Sequence, residues 1–425
     1  MSIVTFKEIL PLRSLQTHPT APRSARMPAF LGMKDAAAVA LDDLGVAVIG
    51  TGSVGSEIAT QWARQGIGRM YLVDPGLVKA ESLLTHSRFQ FENIGKPKAS
   101  LVGHLCRQIS PQTQVFVCDD RVQSLSRIAL AEADLVYLAT DNLPTEVEVG
   151  QLCLHLRIPL VHAAVDGATL IAQVRVFTNT NADGSCPRCC FGASEIEALN
   201  RALVFSCNGA LEGEPRRRIA AQPTMSPSFL CTLAANIAVT VGYRHALGVG
   251  APLVDSAIEY CGYTHRTVVS PLRRSPDCPC QHRAWERRIP PQPLWAECTL
   301  RELAAAADLC ADEPASFTVD DDLAFVEWAK CRCGKREMVQ RFCRGGRIAA
   351  DCSRCGEPLF AEQFYSHRSV ASELLHGQLD LPLRALGAEE ARWILVQGDD
   401  QAVIFPHCRT PIETPYTLSK MRNLE

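Results

Sequence analysis

Three spaced glycines, two carboxylates, one lysine and two sets of paired cysteines carry most of the chemistry in this chain. Gly50, Gly52 and Gly55 form the pattern G-x-G-x-x-G directly after the apolar run Val46 to Ile49. Gly50 lets the chain turn, Gly52 lets the backbone approach a phosphate, and Gly55 lets the following helix pack closely on the strand. The first N–H groups of such a helix lack partners within it and attract an anion. A merely tight turn has the same spacing, but an apolar strand before it and the helical pattern Ser56 to Gly66 after it favour a nucleotide phosphate. Asp74 ends the next apolar run, Met70 to Val73, where a carboxylate accepts hydrogen bonds from ribose hydroxyls. A turn or capping role ahead of Pro75 and Gly76 is its alternative. Lys98 opens a helix, where its charge opposes the helix dipole and calls for an anionic partner, whereas Lys96 reads as a solvated neighbour. Asp141 follows the apolar run 134 to 139, at the strand end where open α/β sheets bind ligands.

The nineteen cysteines fall largely into short-spaced pairs, which in a long chain point to zinc rather than disulfides. Cys186 and Cys189 (C-P-R-C) with Cys278 and Cys280 (C-P-C) offer four thiolates for a tetrahedral ion. The second pair is tighter than C-x-x-C, so His282 is a substitute ligand. Cys331, Cys333, Cys352 and Cys355 form a second set in the manner of a zinc ribbon. Cys190 reads as structural beside the first site, Cys231 as buried in an apolar helix, and Cys343 as a spare. Cys207 lies in a polar segment near Arg216, Arg217 and Arg218, which would lower its pKa if the loop folds back; an ordinary loop cysteine is the alternative.

The elements that must position these groups follow from the apolar pattern. Strands are expected at Val46 to Ile49, Met70 to Val73, Gln114 to Val117, Asp134 to Ala139, Leu160 to Ala164 and Leu170 to Phe177, and helices after the glycine turn, from Lys98 toward Ile109, and from about Ser226 to Leu247. Such an alternation predicts an α/β fold: a doubly wound, Rossmann-like, mostly parallel sheet with a zinc-bound crossover region and a small C-terminal domain containing a zinc ribbon. Residues 1 to 28, broken by prolines, read as a loose arm, and Ala29 to Leu41 as a short amphipathic helix. Trp393 to Val396 and Ala402 to Phe405 alternate as strands about Gly398. Pro290, Pro291 and Pro293 mark a linker, giving an N-terminal arm and helix (1–40), a nucleotide-binding domain with a zinc site (41–290) and a C-terminal domain (296–425).

Composition narrows the classes. With 47% hydrophobic and 21% charged residues the chain is globular, and a net charge of −3 gives no general attraction to nucleic acid or anionic membrane. The N-terminus lacks a signal-peptide pattern, and the apolar stretch Phe229 to Val241 is too short to span a bilayer. A cytoplasmic protein with no membrane or nucleic-acid partner is the expectation.

Taken in order, G-x-G-x-x-G, a strand ending in Asp74, I-G-K-P-K-A at 94–99, A-T-D-N at 139–142, I-P-L-V-H-A-A-V-D-G at 158–167, C-P-R-C and D-C-P-C resemble the ThiF/MoeB and ubiquitin-activating (E1-like) adenylyltransferase family over roughly residues 41 to 290. That resemblance implies ATP and magnesium, adenylation of the C-terminal glycine of a ubiquitin-like protein or sulfur carrier, and transfer of the acyl group to a cysteine, here Cys207, for passage to a conjugating enzyme. It also implies that Asp74 holds the ribose, Lys98 the phosphates and Asp141 the magnesium. Carboxylate attack on the α-phosphate gathers negative charge that a lysine and a metal ion neutralise. The family pattern Asn-Leu-x-Arg is replaced by Ser82-Leu83-Leu84-Thr85, so the arginine of the phosphate clamp is missing. Arg88, one helical turn on, either reaches in or lies at the surface. Family homodimers also lend an N-terminal arginine to the partner's nucleotide, and Arg26 is the nearest match.

Four functions compete at this level. An activator of a ubiquitin-like modifier leads, with sulfur-carrier activation differing only after the adenylate. A nicotinamide-dependent dehydrogenase accounts for the glycines and Asp74 but leaves Lys98, Asp141 and the cysteine pairs without a role. The replacements at Ser82 and Thr85 suggest a non-catalytic scaffold.

Overall fold

The computed structural model describes residues 4–10, 41–179, 184–199, 226–292, 294–309, 314–344, 347–360, 364–375 and 377–407. These fall into two compact units that divide at His282 and Arg283, with residues 126–128 grouped with the C-terminal unit.

The N-terminal unit is built on a nine-stranded sheet. Its strands are β1 (Lys7–Ile9), β2 (Gly45–Ile49), β3 (Arg69–Val73), β4 (Gln114–Cys118), β5 (Leu135–Leu138), β6 (Leu160–Asp166), β7 (Ile171–Phe177), β8 (Ser256–Cys261) and β9 (Arg266–Pro271). They lie in the order β1-β4-β3-β2-β5-β6-β7-β8-β9. The five from β4 to β6 are mutually parallel, while β1 and the hairpins from β7 onward are antiparallel. Because β2 lies between β3 and β5, the chain reverses its winding there, and a crevice opens at the carboxyl ends of these strands.

The apolar runs are continuous because both faces of the central strands are covered. Val46 and Val48 pack on one face with side chains of α1 (Ser53–Gln65), α3 (Lys98–Ile109) and α5 (Ser228–Leu247). Ala47 and Ile49 pack on the other with Val149 and Cys153 of α4 (Leu143–Leu156). A short helix between β3 and α3 is α2 (Ser82–Thr85).

Three expectations change. Helix α1 begins at Ser53, inside the glycine motif, because Gly52 itself serves as its N-cap. Lys7–Ile9 is an edge strand and not part of an irregular arm, held by pairing with Val115 to Val117. The exposed hairpin β8–β9 was not evident, since Arg266 to Val269 face solvent and show no one-sided apolar pattern. Residues 11–40, with Arg26 and most of the proposed N-terminal helix, lie outside the described residues, as do 200–225 with Cys207 and Arg216 to Arg218.

In the C-terminal unit, β10 (Glu286–Arg287), β11 (Ser316–Val319), β17 (Ser369–Ala371), β18 (Trp393–Gln397) and β19 (Ala402–Pro406) form a five-stranded sheet. Beside these, β12 (Leu323–Lys330), β13 (Arg336–Arg344) and β16 (Phe364–His367) make a three-stranded sheet, and β14 (Arg347–Asp351) pairs with β15 (Pro358–Phe360). The strands expected around Gly398 are β18 and β19. Helix α6 (Leu300–Ala306) starts in a capping box, with Thr299 and Glu302 each satisfying the other's backbone N–H.

Candidate nucleotide site and metal centres

The glycine loop is fixed by close approach. Gly50 has φ +89°, and a Cβ there would lie 2.5 Å from the Ala139 carbonyl oxygen; a Cβ on Gly55 would lie 1.8 Å from the Gly50 carbonyl oxygen. Gly52 is open, its nearest neighbour being His86 Nε2 at 3.7 Å from a Cβ position. The first turn of α1 carries no acidic side chain and no side-chain cap, so its terminal N–H groups remain available to an anion.

Asp74 is buried at the end of β3. One carboxylate oxygen accepts from Thr51 N (2.7 Å) and Thr51 Oγ1 (3.1 Å), and the other from Gly76 N (2.7 Å). These bonds tie the β3 end to the glycine loop, and a carboxylate has lone pairs beyond three acceptances to offer a ribose hydroxyl. Lys98 reaches the same place because residues 76–78 clasp the start of α3, with Lys98 N donating to Gly76 O at 3.0 Å and Val78 N to Lys96 O at 2.9 Å. The Lys98 stem runs past Gly76, next to Asp74. Asp141 is exposed just beyond β5, preceding the α4 N-cap Asn142, whose side chain accepts from Thr145 N. In-register pairing of Ile49 with Val73 and Leu138 brings the loops carrying Gly50, Asp74 and Asp141 to one sheet edge.

Arg88 is not free for this site. Its guanidinium donates to Glu57 Oε2 at 2.7 Å, and Ser87 Oγ also donates to Glu57, a buried residue of α1. A carboxylate held inside the packing claims the nearest cation, a tie that spacing along the chain could not reveal.

Sequence reasoning passed over His86. It is 8% exposed, stacked on Phe89 at 5.0 Å between ring centres, and its Nε2 has no hydrogen-bond partner. Burial, then the Lys98 charge, push its pKa down to about 4. A histidine beside the vacant arginine position was the available signal.

His162 in β6, opposite the β5 end at Leu138, and Glu146 in the first turn of α4 are buried with Nε2 and Oε2 3.8 Å apart. Burial raises Glu146 to about 7 and lowers His162 to about 3, so near pH 6 the pair is neutral rather than ionic.

The first cysteine group comprises Cys186, Cys189, Cys278 and His282, with their ligand atoms mutually within 4.8 Å. Cys186 Sγ lies 3.7 Å from both Cys189 Sγ and Cys278 Sγ, and His282 Nε2 lies 3.5 Å from Cys189 Sγ and 3.4 Å from Cys278 Sγ. Tetrahedral zinc with bonds of about 2.0–2.3 Å separates its ligands by roughly 3.5–3.8 Å, so these residues fit the ion. With Nδ1 2.9 Å from Gly184 O, an Nδ1–H donated there leaves the Nε2 lone pair facing the thiols. Cys280 is therefore corrected from ligand to neighbour: it is buried with Leu154 and Cys186, outside the group of four. The loop brings His282 into the position assigned to it. In the C-terminal unit Cys331, Cys333, Cys352 and Cys355 converge as expected, with Sγ separations of 3.4 Å (Cys331 to Cys355) and 3.6 Å (Cys333 to Cys352).

The chain is similar to known proteins over part of its length. The chain is 29% identical over 241 residues to the maize (Zea mays) adenylyltransferase and sulfurtransferase MOCS3-1, covering 56% of this chain and 47% of that one. It is 31% identical over 148 residues to the Escherichia coli sulfur carrier protein ThiS adenylyltransferase (35% and 58%), and 27% over 256 residues to a Thermus thermophilus sulfur carrier protein adenylyltransferase (57% and 84%). The chain thus spans about half the length of the maize and Escherichia coli relatives. The crystal structure of Escherichia coli MccB with ATP aligns with a TM-score of 0.47 at 17% identity, covering 61% of this chain and 74% of that one. The ThiF family itself matches residues 24–282, which take in the glycine loop, Asp74, Lys98, Asp141 and the first cysteine group together, and the chain is a member of that family.

Proposed function

We propose that this protein binds ATP with magnesium and adenylates the C-terminal glycine of a ubiquitin-like protein or sulfur carrier. The observation that supports this reading is that Gly52, Asp74, Lys98 and Asp141 lie in segments at one sheet edge beside the β2 switch point of a ThiF-family chain. Asp74 receives a ribose hydroxyl, and the α1 N-terminus with Lys98 takes the phosphates. Asp141 holds magnesium, which supplies charge neutralisation when bound. A carboxylate oxygen of the carrier attacks the α-phosphorus, the bond to the bridging oxygen breaks, and pyrophosphate leaves with the electron pair.

For the second step, Cys207 attacks the acyl adenylate as a thiolate and AMP leaves, giving a thioester for a conjugating enzyme. Sulfur-carrier activation is the second reading, supported by relatives named as sulfur carrier protein adenylyltransferases. The two part on product: mass spectrometry of carrier incubated with protein and ATP gives a thioester lost in Cys207→Ala under the first reading. Under the second, a thiocarboxylate forms only with a sulfur donor. Release of neither pyrophosphate nor AMP with any glycine-ended carrier would leave the scaffold. A homodimer in which Arg26 reaches the partner's nucleotide, zinc at both cysteine groups, recruitment by the C-terminal domain (296–425) and a cytoplasmic setting belong to the same proposal. Among the described residues no helix is long and apolar enough to cross a membrane.

A further inference from the structure

Asp74 is held from one side by a single residue, Thr51, which sits between the first two glycines of the loop. Its N–H and its Oγ1 hydroxyl both donate to Asp74 Oδ2, at 2.7 and 3.1 Å, while Gly76 N donates to Oδ1 at 2.7 Å. The backbone of Asp74 is fixed as well, its N–H donating to Cys118 O at 3.1 Å. Thr51 is 0% exposed whereas Asp74 keeps 8%, so a ligand in the crevice can reach the carboxylate but not the threonine. A carboxylate offers about four lone-pair positions, shared equally between its oxygens. Thr51 fills those on Oδ2 and Gly76 takes one on Oδ1, which leaves the last, on Oδ1, for a newcomer.

We propose that Thr51 is a positioning residue for nucleotide selection: its hydroxyl keeps Oδ2 turned inward so that Oδ1 meets a ribose hydroxyl, and it thereby sets how strongly the site prefers a ribonucleotide. The inference rests on the nucleotide reading of the site. The hold is needed because of what stands beside the carboxylate. Lys98 Cδ and Cε lie 3.5 and 3.6 Å from the position a Cβ on Gly76 would take, and Asp74 Oδ1 lies 2.8 Å from the same point. Opposite charges in one partly desolvated corner attract, and a carboxylate free to turn would swing toward the ammonium and be lost to the ribose. Two donors on Oδ2 resist that turn without adding a charge. Any residue but proline at this position supplies the N–H; the hydroxyl is the part that depends on Thr51.

The readout is the ratio of affinities for ATP and for dideoxy-ATP, which lacks both ribose hydroxyls, measured by calorimetry with magnesium on the full-length protein. A merely structural role would move both affinities together and leave the ratio alone. Wild type should prefer ATP by roughly 10- to 100-fold, the worth of one hydrogen bond to a charged group. Thr51→Val keeps the N–H and the side-chain shape without the hydroxyl, and should lower that preference by about 3-fold or more. Thr51→Ala, which is smaller, should do the same, while Thr51→Ser keeps the hydroxyl and should stay within about 2-fold of wild type. An unchanged preference in the Val and Ala variants, equal losses for both nucleotides included, would overturn the role, as would Thr51→Ser behaving like Thr51→Val. If wild type bound both nucleotides equally, the ribose contact of Asp74 would fail; if it bound neither, the nucleotide reading would fail, and in either case this inference falls with it.

Discussion

Single side chains around the glycine loop divide into those the proposal gives to a ligand and those spent on the fold. Glu57 is buried with Arg88 and Ser87 as its donors, so Arg88→Ala should strand an uncompensated carboxylate. A loss of about 3 kcal/mol by chemical denaturation is expected, with nucleotide turnover per folded molecule changed by less than about 3-fold. A large loss of turnover at unchanged stability would return Arg88 to the phosphate clamp. Glu146 gives a pH signature. Its folded pKa of about 7 lies above the usual carboxyl value, so the folded state binds its proton more tightly than the unfolded chain. Stability from this group is whole below about pH 4.5 and falls as pH rises toward 7. Glu146→Gln should flatten that fall, and denaturation midpoints measured from pH 5 to 8 would show it; an unchanged slope would place the titration elsewhere. The positions of Asp74 at a strand end and Lys98 at a helix start were legible in the sequence, because apolar runs and their breaks mark where strands stop and helices begin. His86 and the Arg88–Glu57 tie were not, because both depend on which side of α1 the short helix α2 turns.

Elements decide whether those side chains meet. The parallel core was legible because β2, β3 and β5 are buried on both faces and appear as unbroken apolar runs. No comparable run marks β12 and β13, whose alternation is blurred by a register shift between Val326 and Trp328 and by the exposed side of the hairpin. At the glycine loop, Gly55→Ala would drive a methyl group to 1.8 Å from a backbone oxygen, where no side-chain motion relieves it. A cost of ~3 kcal/mol or more, and loss of nucleotide binding, should follow in thermal denaturation with and without ATP. Ordinary stability with normal binding would mean that the strand and helix do not pack this closely. At the first metal centre the loop after Cys278 chooses between two candidate ligands. Zinc analysis should find His282→Ala one ion short and Cys280→Ser fully loaded; the reverse would restore Cys280 as the ligand.

At the scale of the whole chain, each of the two compact units carries a group of four side chains that could hold a metal ion. Purified protein should contain about two zinc ions, and a chelator should lower its thermal stability, as structural zinc supplies folding free energy. Fewer than one ion per chain would remove the metal from the account. The ThiF family match ends at residue 282, so the C-terminal unit lies outside it. If that unit recruits the carrier or a conjugating enzyme, removing 296–425 should reduce acyl transfer while leaving adenylate formation intact, measured as thioester yield against pyrophosphate release. The most direct test of the central claim is ATP–pyrophosphate exchange with a glycine-ended ubiquitin-like protein or sulfur carrier, on wild type and on Asp141→Ala. Carrier-dependent exchange that disappears in Asp141→Ala is the predicted result. ATP binding without exchange, whichever carrier is supplied, would contradict adenylation and leave a ThiF-family chain that holds its nucleotide without using it.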